Sequence, residues 1–486
     1  MTTPVANDIS SVTVSAPGKV LLAGGYLVLE APNAGLVIAA DKRFYTSVSG
    51  TSNTTNDEED VSERPIHITV KSPQFHSEWK YQYKRSNCLL VPSTQNESVN
   101  PFVEKTLRVC LIYLLQPSPS AKNTATTSSL DILIRADNDF YSVLPHLPSD
   151  SDKSPAVVAA LPKFLPCPVD PNTGKAVVHK TGLGSSAALT TSLVGAMVHY
   201  FHSTSQETEI ATIIHNLAQI CHCHAQGKVG SGFDVSAACH GSHVYRRFPK
   251  CLLPDLLQQL DKFNSNNSNN DHLSLRETLK RSVELVPWKD DMVTPLDLPN
   301  DLQLLLADVR GGSESPSMAR TVLKWKATQT ENENDDIPHW SALSKLNPKI
   351  VESIQLLSKQ EIDSVDYDAL SKLPASKWPL SNDSPLISLR DNFSRIRDEL
   401  RSMGEAASVP IEPPPQQRLC DATSELPGVI TALVPGAGGY DAVACLYINR
   451  PDVVKSIGEL WSSWNSPIVC PLAVRAGQDG LRVENE

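Results

Sequence analysis

The chain has 486 residues, of which 40% are apolar and 20% charged, so at about 100–200 residues per domain two or three domains are expected, with length to spare for loops around its 36 prolines. The net charge of −11 excludes a polyanion-binding surface as the main role, since nucleic-acid binders carry a basic stripe, yet it leaves room for a basic pocket around a small anion. No apolar run approaches the ~20 residues that span a bilayer, the start Met1-Thr2-Thr3-Pro4-Val5-Ala6 lacks the pattern of a secretory signal, and ten cysteines without a CxxC pair read as reduced thiols, so a cytoplasmic protein with no membrane partner is expected.

Residues 12–16 alternate as a strand and are expected to break at Pro17-Gly18. Residues 19–29 are apolar with two central glycines, and 36–40 and 43–49 read as two separate strands. Residues 51–64 are polar and acidic, as in a hairpin tip or insertion. Strands follow over 66–70 and 79–83, then a helix over 101–115, a Ser/Thr/Pro-rich loop over 116–129 and a strand over 130–134. The proline-rich stretch 145–174 reads as a further insertion and 176–178 as a short strand. Residues 187–201 are apolar almost all round, which predicts a buried helix. Residues 209–225 place Ile210, Ile213, Ile214, Leu217, Ile220 and Cys221 at helical spacing. A second glycine loop, 227–232, leads into a helix over 234–239, and the asparagine-rich tract within 261–271 reads as a disordered surface loop. The second half offers a strand over 303–309, helices around 318–327, 349–358 and 386–403, and strands over 428–433 and 442–447. This mixture implies an α+β class in two domains, 1–290 and 291–486.

The run Lys180-Thr181-Gly182-Leu183-Gly184-Ser185-Ser186-Ala187-Ala188 carries the strongest chemical signal. Gly182 and Gly184 let the backbone curl so that successive N–H groups converge, and such a nest attracts an anion. Ser185, Ser186, Ala187 and Ala188 open a helix whose N-terminus adds partial positive charge, with no bulky side chain in the way of a phosphate. The serine hydroxyls are candidates for phosphate or for Mg²⁺, which takes oxygen ligands. Alone, the loop also fits a tight strand-to-helix turn in a core, and its GxGxxA spacing fits a dinucleotide turn. The dinucleotide fold wants an acid about 20 positions on at a strand end, where this chain has the polar link His202-Ser203-Thr204-Ser205-Gln206-Glu207. No GxxxxGK[ST] run is present.

Three runs in order resemble the motifs of the GHMP kinase superfamily: Ser15-Ala16-Pro17-Gly18-Lys19-Val20-Leu21-Leu22-Ala23-Gly24-Gly25-Tyr26, the glycine loop above, and Pro435-Gly436-Ala437-Gly438-Gly439-Tyr440-Asp441-Ala442. Within it, Gly24 to Leu29, Gly230-Ser231-Gly232-Phe233-Asp234-Val235-Ser236 and Val309-Arg310-Gly311-Gly312-Ser313 are similar to the fungal-type phosphomevalonate kinases. Mevalonate kinases more often carry a Gly-Glu-His type of first motif, and here Gly25 stands where that acid would be. The resemblance spans nearly the whole chain. It implies a ribosomal-S5-domain-2-like N-terminal domain and a ferredoxin-like C-terminal domain with ATP between them. It also implies Mg²⁺-dependent phosphorylation of (R)-5-phosphomevalonate to the diphosphate in isoprenoid and sterol precursor synthesis.

By the same resemblance Lys19 belongs beside the transferring phosphate and Asp234 near the accepting oxygen. Residues 180–188 and Asn138 belong around ATP, with the Ser186 hydroxyl toward Mg²⁺. Arg310, Gly312, Ser313, Ser317, Gly436, Ala437, Gly438 and Gly439 belong at the substrate. Asp234 can equally be a helix N-cap, and an anionic phosphate acceptor needs less of a base than an alcohol does. Mevalonate as acceptor and a non-catalytic sensor are the competing readings; retention of both Lys19 and Asp234 speaks against the sensor. The cluster His215, Cys221, His222, Cys223 and His224 invites zinc, but neighbours on a helix point around it and no second pair has zinc spacing, so a core helix with its histidines turned outward is expected.

Overall fold

A computed structural model describes every residue except 1–6, 53–63, 97, 117–126, 149–152, 203–206, 264–270, 287, 289–290, 310–314, 330–336, 360–364, 441 and 486. Most of the acidic insertion, the asparagine-rich tract and the Arg310 segment therefore lie outside the described residues.

Strands β1 (Asn7–Ala23) and β2 (Ala34–Ser52) form a long antiparallel pair. Contrary to expectation, β1 does not break at Pro17-Gly18. The register passes from Pro17 opposite Arg43 to Lys19 opposite Ala39, so β2 bulges by several residues. Proline is tolerated at such irregularities, and a bulge re-aims the side chains beside it, here Lys19. For the same reason residues 36–40 and 43–49 belong to one strand.

β3 (Ile66–Ser72), β4 (Ser77–Lys84) and β5 (Leu89–Pro92) form a meander. In β3, Ile66, Ile68 and Val70 face the core while His67 and Lys71 face out, the alternation that the sequence shows. Helix α1 (Pro101–Leu114) starts at Asn100, whose side chain accepts the N–H groups of Phe102 and Val103. It carries the chain across to β6 (Thr127–Ala136), which lies between β2 and β3 and parallel to β3, a pairing that requires such a crossover. The strand expected over 176–178 reduces to isolated bridges, Val169 with Ala176 and Tyr141 with Lys180.

Helix α2 (Ser185–Phe201) packs across β1 and β2 with Leu193, Val194, Met197, Val198 and Phe201 fully buried, each worth about 1.5–3 kcal/mol of transfer free energy. Helix α3 (Glu207–Gln226) is enclosed by α1, α2, the short α4 (Phe233–His240) and the helix Pro254–Phe263. It consequently has no outer face over its second half. His215, His222 and His224, expected outside, are buried at 2%, 3% and 1% exposure. Each finds a polar partner, Asn216 and Gln219 for His215 and Asp261 for His224. β7 (His243–Arg246) pairs with the start of β2 and with β8 (Val293–Pro295), bringing the sheet to eight strands, and two short strands from the end of the chain make ten among the described residues.

The second half forms an antiparallel sheet in the order β10–β11–β9–β12, from β9 (Leu302–Val309), β10 (Val429–Leu433), β11 (Ala442–Ile448) and β12 (Val469–Pro471). Every residue of β10 and β11 is buried, so both faces of this sheet are covered. Helices α5 (Ser315–Thr328), α6 (Pro338–Lys359) and α7 (Pro385–Ala407) belong to this half. The chain then returns: β13 (Ala476–Gly477) pairs with β2 and β14 (Arg482–Val483) with β1. The buried Arg43 guanidinium donates to Ser15 O at 3.0 Å, to Gly480 O at 2.5 Å and to Asp479 O at 3.4 Å, which ties that return to the first sheet.

Candidate functional site

A cavity of about 660 Å³ lies where β1, the glycine loops and the second sheet meet. Lys19 enters it from β1 beside the β2 bulge, half-buried, with Nζ donating to Gly182 O at 2.8 Å and standing 5.6 Å from the centre of the Phe233 ring. Its backbone N–H donates to Leu183 O at 2.9 Å, so the first motif and the central glycine loop share a rigid seam. A β-carbon on Gly184, at φ +80°, would stand 3.0 Å from Lys19 Cε; the glycine makes room for the lysine stem. Gly182, at φ +79°, has no atom within 4 Å of where its β-carbon would be, and it lines the cavity. Burial pushes the Lys19 ammonium below the ordinary lysine range, and the nearby Asp234 carboxylate pushes back.

Asp234 reaches the cavity from the first turn of α4 but is not the N-cap; the cap is Gly232, at φ +82°, two residues before it. The loop before it is clamped from three sides. Gln219 donates to Gly232 O at 2.7 Å and Tyr245 to Ser231 O at 2.8 Å. The Arg247 guanidinium donates to Gly230 O and Val229 O, and at 2.7 Å to Leu29 O. His222 lies between Asp234 and the central loop, with Nε2 3.9 Å from Asp234 Oδ2 and 3.1 Å from Ser186 Oγ. Burial lowers its pKa, Asp234 opposes this and Lys180 adds to it.

The third glycine run closes the opposite wall. Gly436 N–H donates to Leu21 O at 3.2 Å, and the Tyr26 hydroxyl donates to Ala437 O across the two halves of the chain. A β-carbon on Gly25 would stand 2.5 Å from Gly436 O. The acid of other first motifs therefore has no space here.

The structure brings Lys19, Thr181, Gly182, Asp234, Gly436, Ala437 and Gly438 together on the cavity wall. Thr181 donates its hydroxyl to Asp139 O at 2.5 Å, fixing the loop's entry. Leu183, Ala187 and Ala188 are packed in the core, Lys180 is exposed, and Ser185 is buried against the Tyr141 hydroxyl. Gly439 donates to Ile411 O at 2.8 Å behind the wall. Asn138 faces a different cleft, where it donates to Pro162 O at 2.7 Å and accepts from Leu165 N–H at 2.9 Å; it does not line the main cavity. Ser317 sits exposed in the first turn of α5, off the cavity wall, while Ala319, Arg320 and Leu323 of the same helix line it. Arg310, Gly312 and Ser313 lie outside the described residues.

Sequence reasoning missed the basic character of the wall. Lys228, Arg247, Lys250 and Arg320 line the cavity with Lys19, against Asp234 as the one lining carboxylate among the described residues. A cavity so lined in a chain of net charge −11 selects anions. Lys228 sits inside the second glycine loop, a signal that could have been read; Lys250 arrives from beyond β7, which nothing local announces. No group of three or more His, Cys, Asp or Glu is placed to hold a metal by itself among the described residues. Gly184 and Ser186 do not line the cavity, Ser186 Oγ facing His222 instead; Asp234 is the carboxylate on the wall, which fits a magnesium ion that keeps water and arrives on nucleotide phosphates.

Residues 155–242 match the family described as GHMP kinases N terminal domain. The chain is 36% identical over 512 residues to the phosphomevalonate kinase of Aspergillus fumigatus, covering 97% of this chain and 96% of that protein. It is 34% identical to the peroxisomal phosphomevalonate kinase of Arabidopsis thaliana, covering 98% and 96%. Among solved structures, the Lin0012 protein of Listeria innocua superposes with a TM-score of 0.61 at 16% identity over 98% of this chain and 100% of that one. The Streptococcus pneumoniae phosphomevalonate kinase in complex with phosphomevalonate and AMPPNP superposes with a TM-score of 0.54 at 14% identity, again covering 98% and 100%. These structures share the two-domain GHMP kinase fold described above, and the near-full-length identity to the fungal and plant proteins shows that the chain belongs to the phosphomevalonate kinase family.

Proposed function

We propose that the chain transfers the γ-phosphoryl group of MgATP to the phosphate of (R)-5-phosphomevalonate, giving the 5-diphosphate and ADP, as a step toward isoprenoids and sterols. The observation that carries this reading is the convergence, on one cavity wall, of Lys19, the Gly182 loop, Asp234 and four further cations. Two polyanions must be brought within bonding distance, and phosphoryl transfer asks the protein for positioning and charge neutralisation more than for covalent help. The names of the Aspergillus and Arabidopsis relatives, and the ligands of the Streptococcus structure, support the same acceptor.

In this reading the N–H groups around Gly182 and the start of α2 hold the nucleotide phosphates. Lys19 lies over the transferring group, and its bond to Gly182 O keeps it aimed there. Magnesium, bound with ATP, neutralises phosphate charge; Ser186 Oγ and Asp234 are the protein oxygens that would face it. Asp234 orients Lys19 and the acceptor, since the acceptor oxygen is already anionic and carries no proton that must be removed. Lys228, Lys250 and Arg320 take the acceptor's charge, together with Arg310, Gly312, Ser313 and the 436–439 loop. Residues 1–290 supply the nucleotide side and 291–486 the opposing wall, with 476–483 returning to the first sheet. Ten free thiols support a reducing, cytoplasmic setting.

A coupled ADP-release assay tests the proposal. Turnover with phosphomevalonate well above that with mevalonate is the expected result. Turnover with mevalonate alone would replace the acceptor.

A further inference from the structure

Helix α3 contains a histidine whose position neither the phosphate loop nor the Asp234 loop explains separately. His222 is 3% exposed, its ring tilted at 36° against Phe102 with centroids 5.6 Å apart. Its Nε2 lies 3.1 Å from Ser186 Oγ, 3.2 Å from the Gln226 side-chain nitrogen and 3.9 Å from Asp234 Oδ2. One ring nitrogen thus faces a residue in the first turn of α2, just after the glycine loop, and one in the first turn of α4, on the cavity wall.

We propose that His222 is a positioning residue that couples the two loops, presenting Ser186 to the nucleotide and its magnesium while setting the distance from Ser186 to Asp234. The chemistry follows from what surrounds Nε2. The Gln226 side-chain nitrogen can only donate, so Nε2 presents its lone pair and the ring proton sits on Nδ1. Nε2 then also accepts from the Ser186 O–H, which leaves both serine lone pairs free for a ligand. Without the histidine the hydroxyl is free to rotate and to bond within its own helix, as serines near helix starts do. A buried polar ring is costly unless bonded, and the bonds this ring makes go to the site. α3 is enclosed along this stretch, so the ring is held by packing rather than by the ligand.

The inference rests on the kinase reading above, and the test separates the two. His222→Leu, His222→Gln and Ser186→Ala, with the His222→Leu/Ser186→Ala double variant, are compared with the wild type. Calorimetry with MgAMPPNP reads nucleotide affinity without any acceptor, and ADP release with phosphomevalonate reads kcat and KM. His222→Leu is expected to weaken MgAMPPNP binding and to lower kcat by about tenfold, the scale of losing a partner that orients a ligand group. On the Ser186→Ala background the same change should add little, because both remove one unit. His222→Gln, whose amide oxygen can accept at the same place, should recover most of the loss. Thermal melting checks that each variant is folded, and His222→Gln with Ser186→Ala keeps the comparison if His222→Leu is not. Losses that simply multiply, or a His222→Leu enzyme as active as the wild type, overturn the role of His222. If the binding coupling is present and phosphomevalonate is inert with the wild type, His222 keeps its role and the acceptor assignment falls instead.

Discussion

The stem of Lys19 crosses Gly184 so closely that a β-carbon on the glycine would meet Cε at 3.0 Å, and the ammonium beyond it donates to Gly182 O at 2.8 Å. One lysine is therefore gauged by two glycines of the 182–184 loop, one giving way to its stem and one receiving its head.

Because burial lowers the Lys19 pKa, the charged form that neutralises phosphate is lost as pH rises through a value below the usual ~10.4 of lysine. kcat should fall on that alkaline limb. Lys19→Arg should keep its charge, move the limb upward and lower the plateau, since a planar guanidinium does not repeat the single bond to Gly182 O. A pH–rate profile of both enzymes measures this; a limb at the same pH in both assigns it to another group. Lys19→Ala should cost about 100-fold or more in kcat.

Gly184→Ala and Gly182→Ala should separate two effects. Both place alanine at φ near +80°, a backbone cost of about 1–2 kcal/mol in melting or urea titration. The new methyl at 184 displaces Lys19 and should depress kcat. The methyl at 182 projects into open space on the cavity wall and should raise the KM for ATP, leaving the Lys19 limb of the pH profile where it was. Equal kinetic behaviour of the two variants would contradict the arrangement.

Lys228→Ala, Lys250→Ala and Arg320→Ala should each raise the KM for phosphomevalonate by about tenfold, the scale of one charge-assisted hydrogen bond. The same KM should rise with added salt, because these side chains are exposed and screened. Steady-state kinetics at two ionic strengths reads both effects. Unchanged values in all three variants would remove the basic wall from acceptor binding.

Acid should destabilise the fold through three packed histidines. His215 and His240 have ring centres 5.0 Å apart, and His240 and His243 6.3 Å. Burial lowers their pKa values to about 3, 4 and 4 in that order. Each is depressed below its unfolded value of about 6.5, so the unfolded chain takes up protons first. Stability is full above pH ~6.5 and falls as pH drops toward 4, by up to about 1.4 kcal/mol per pH unit for each histidine. Asp139 acts oppositely: burial raises it to about 6, so its folded form gains the proton first, and Asp41, Asp137 and Asp297 are raised in the same direction, while His222 and His224, lowered by burial, add to the histidine side. Urea midpoints between pH 4 and 7 should drop steadily, and His243→Gln should flatten the slope.

Long periodic segments were legible from residue order because local pattern and burial agree. The helix predicted over 187–201 is observed over Ser185–Phe201, and the strand over 303–309 as Leu302–Val309. The break at Pro17-Gly18 was misread because a proline's missing donor can be absorbed by a bulge that only the pairing partner reveals. The outward turn given to His222 and His224 failed because helical spacing shows one apolar face and cannot count how many neighbours enclose the helix. At the site, Lys19, Gly182, Asp234 and Gly436 were legible because each sits in a short glycine-bounded run. Lys250 and Arg320 were not, since they reach the cavity through tertiary placement alone. Asn138 carried no spacing signal, and the structure spends both ends of its amide on the 162–165 turn.

The return of residues 476–484 to β1 and β2 bears on how the protein is made. On the ribosome, the first sheet emerges hundreds of residues before its last strands. Until then the Arg43 guanidinium lacks the carbonyl groups of Asp479 and Gly480, and Val14 and Ser15 lack the strand that pairs with them. The first half must therefore wait, incompletely closed, for the end of synthesis. A fragment stopping at residue 290 should be aggregation-prone for that reason, and a peptide of residues 470–486 supplied in trans should improve its solubility.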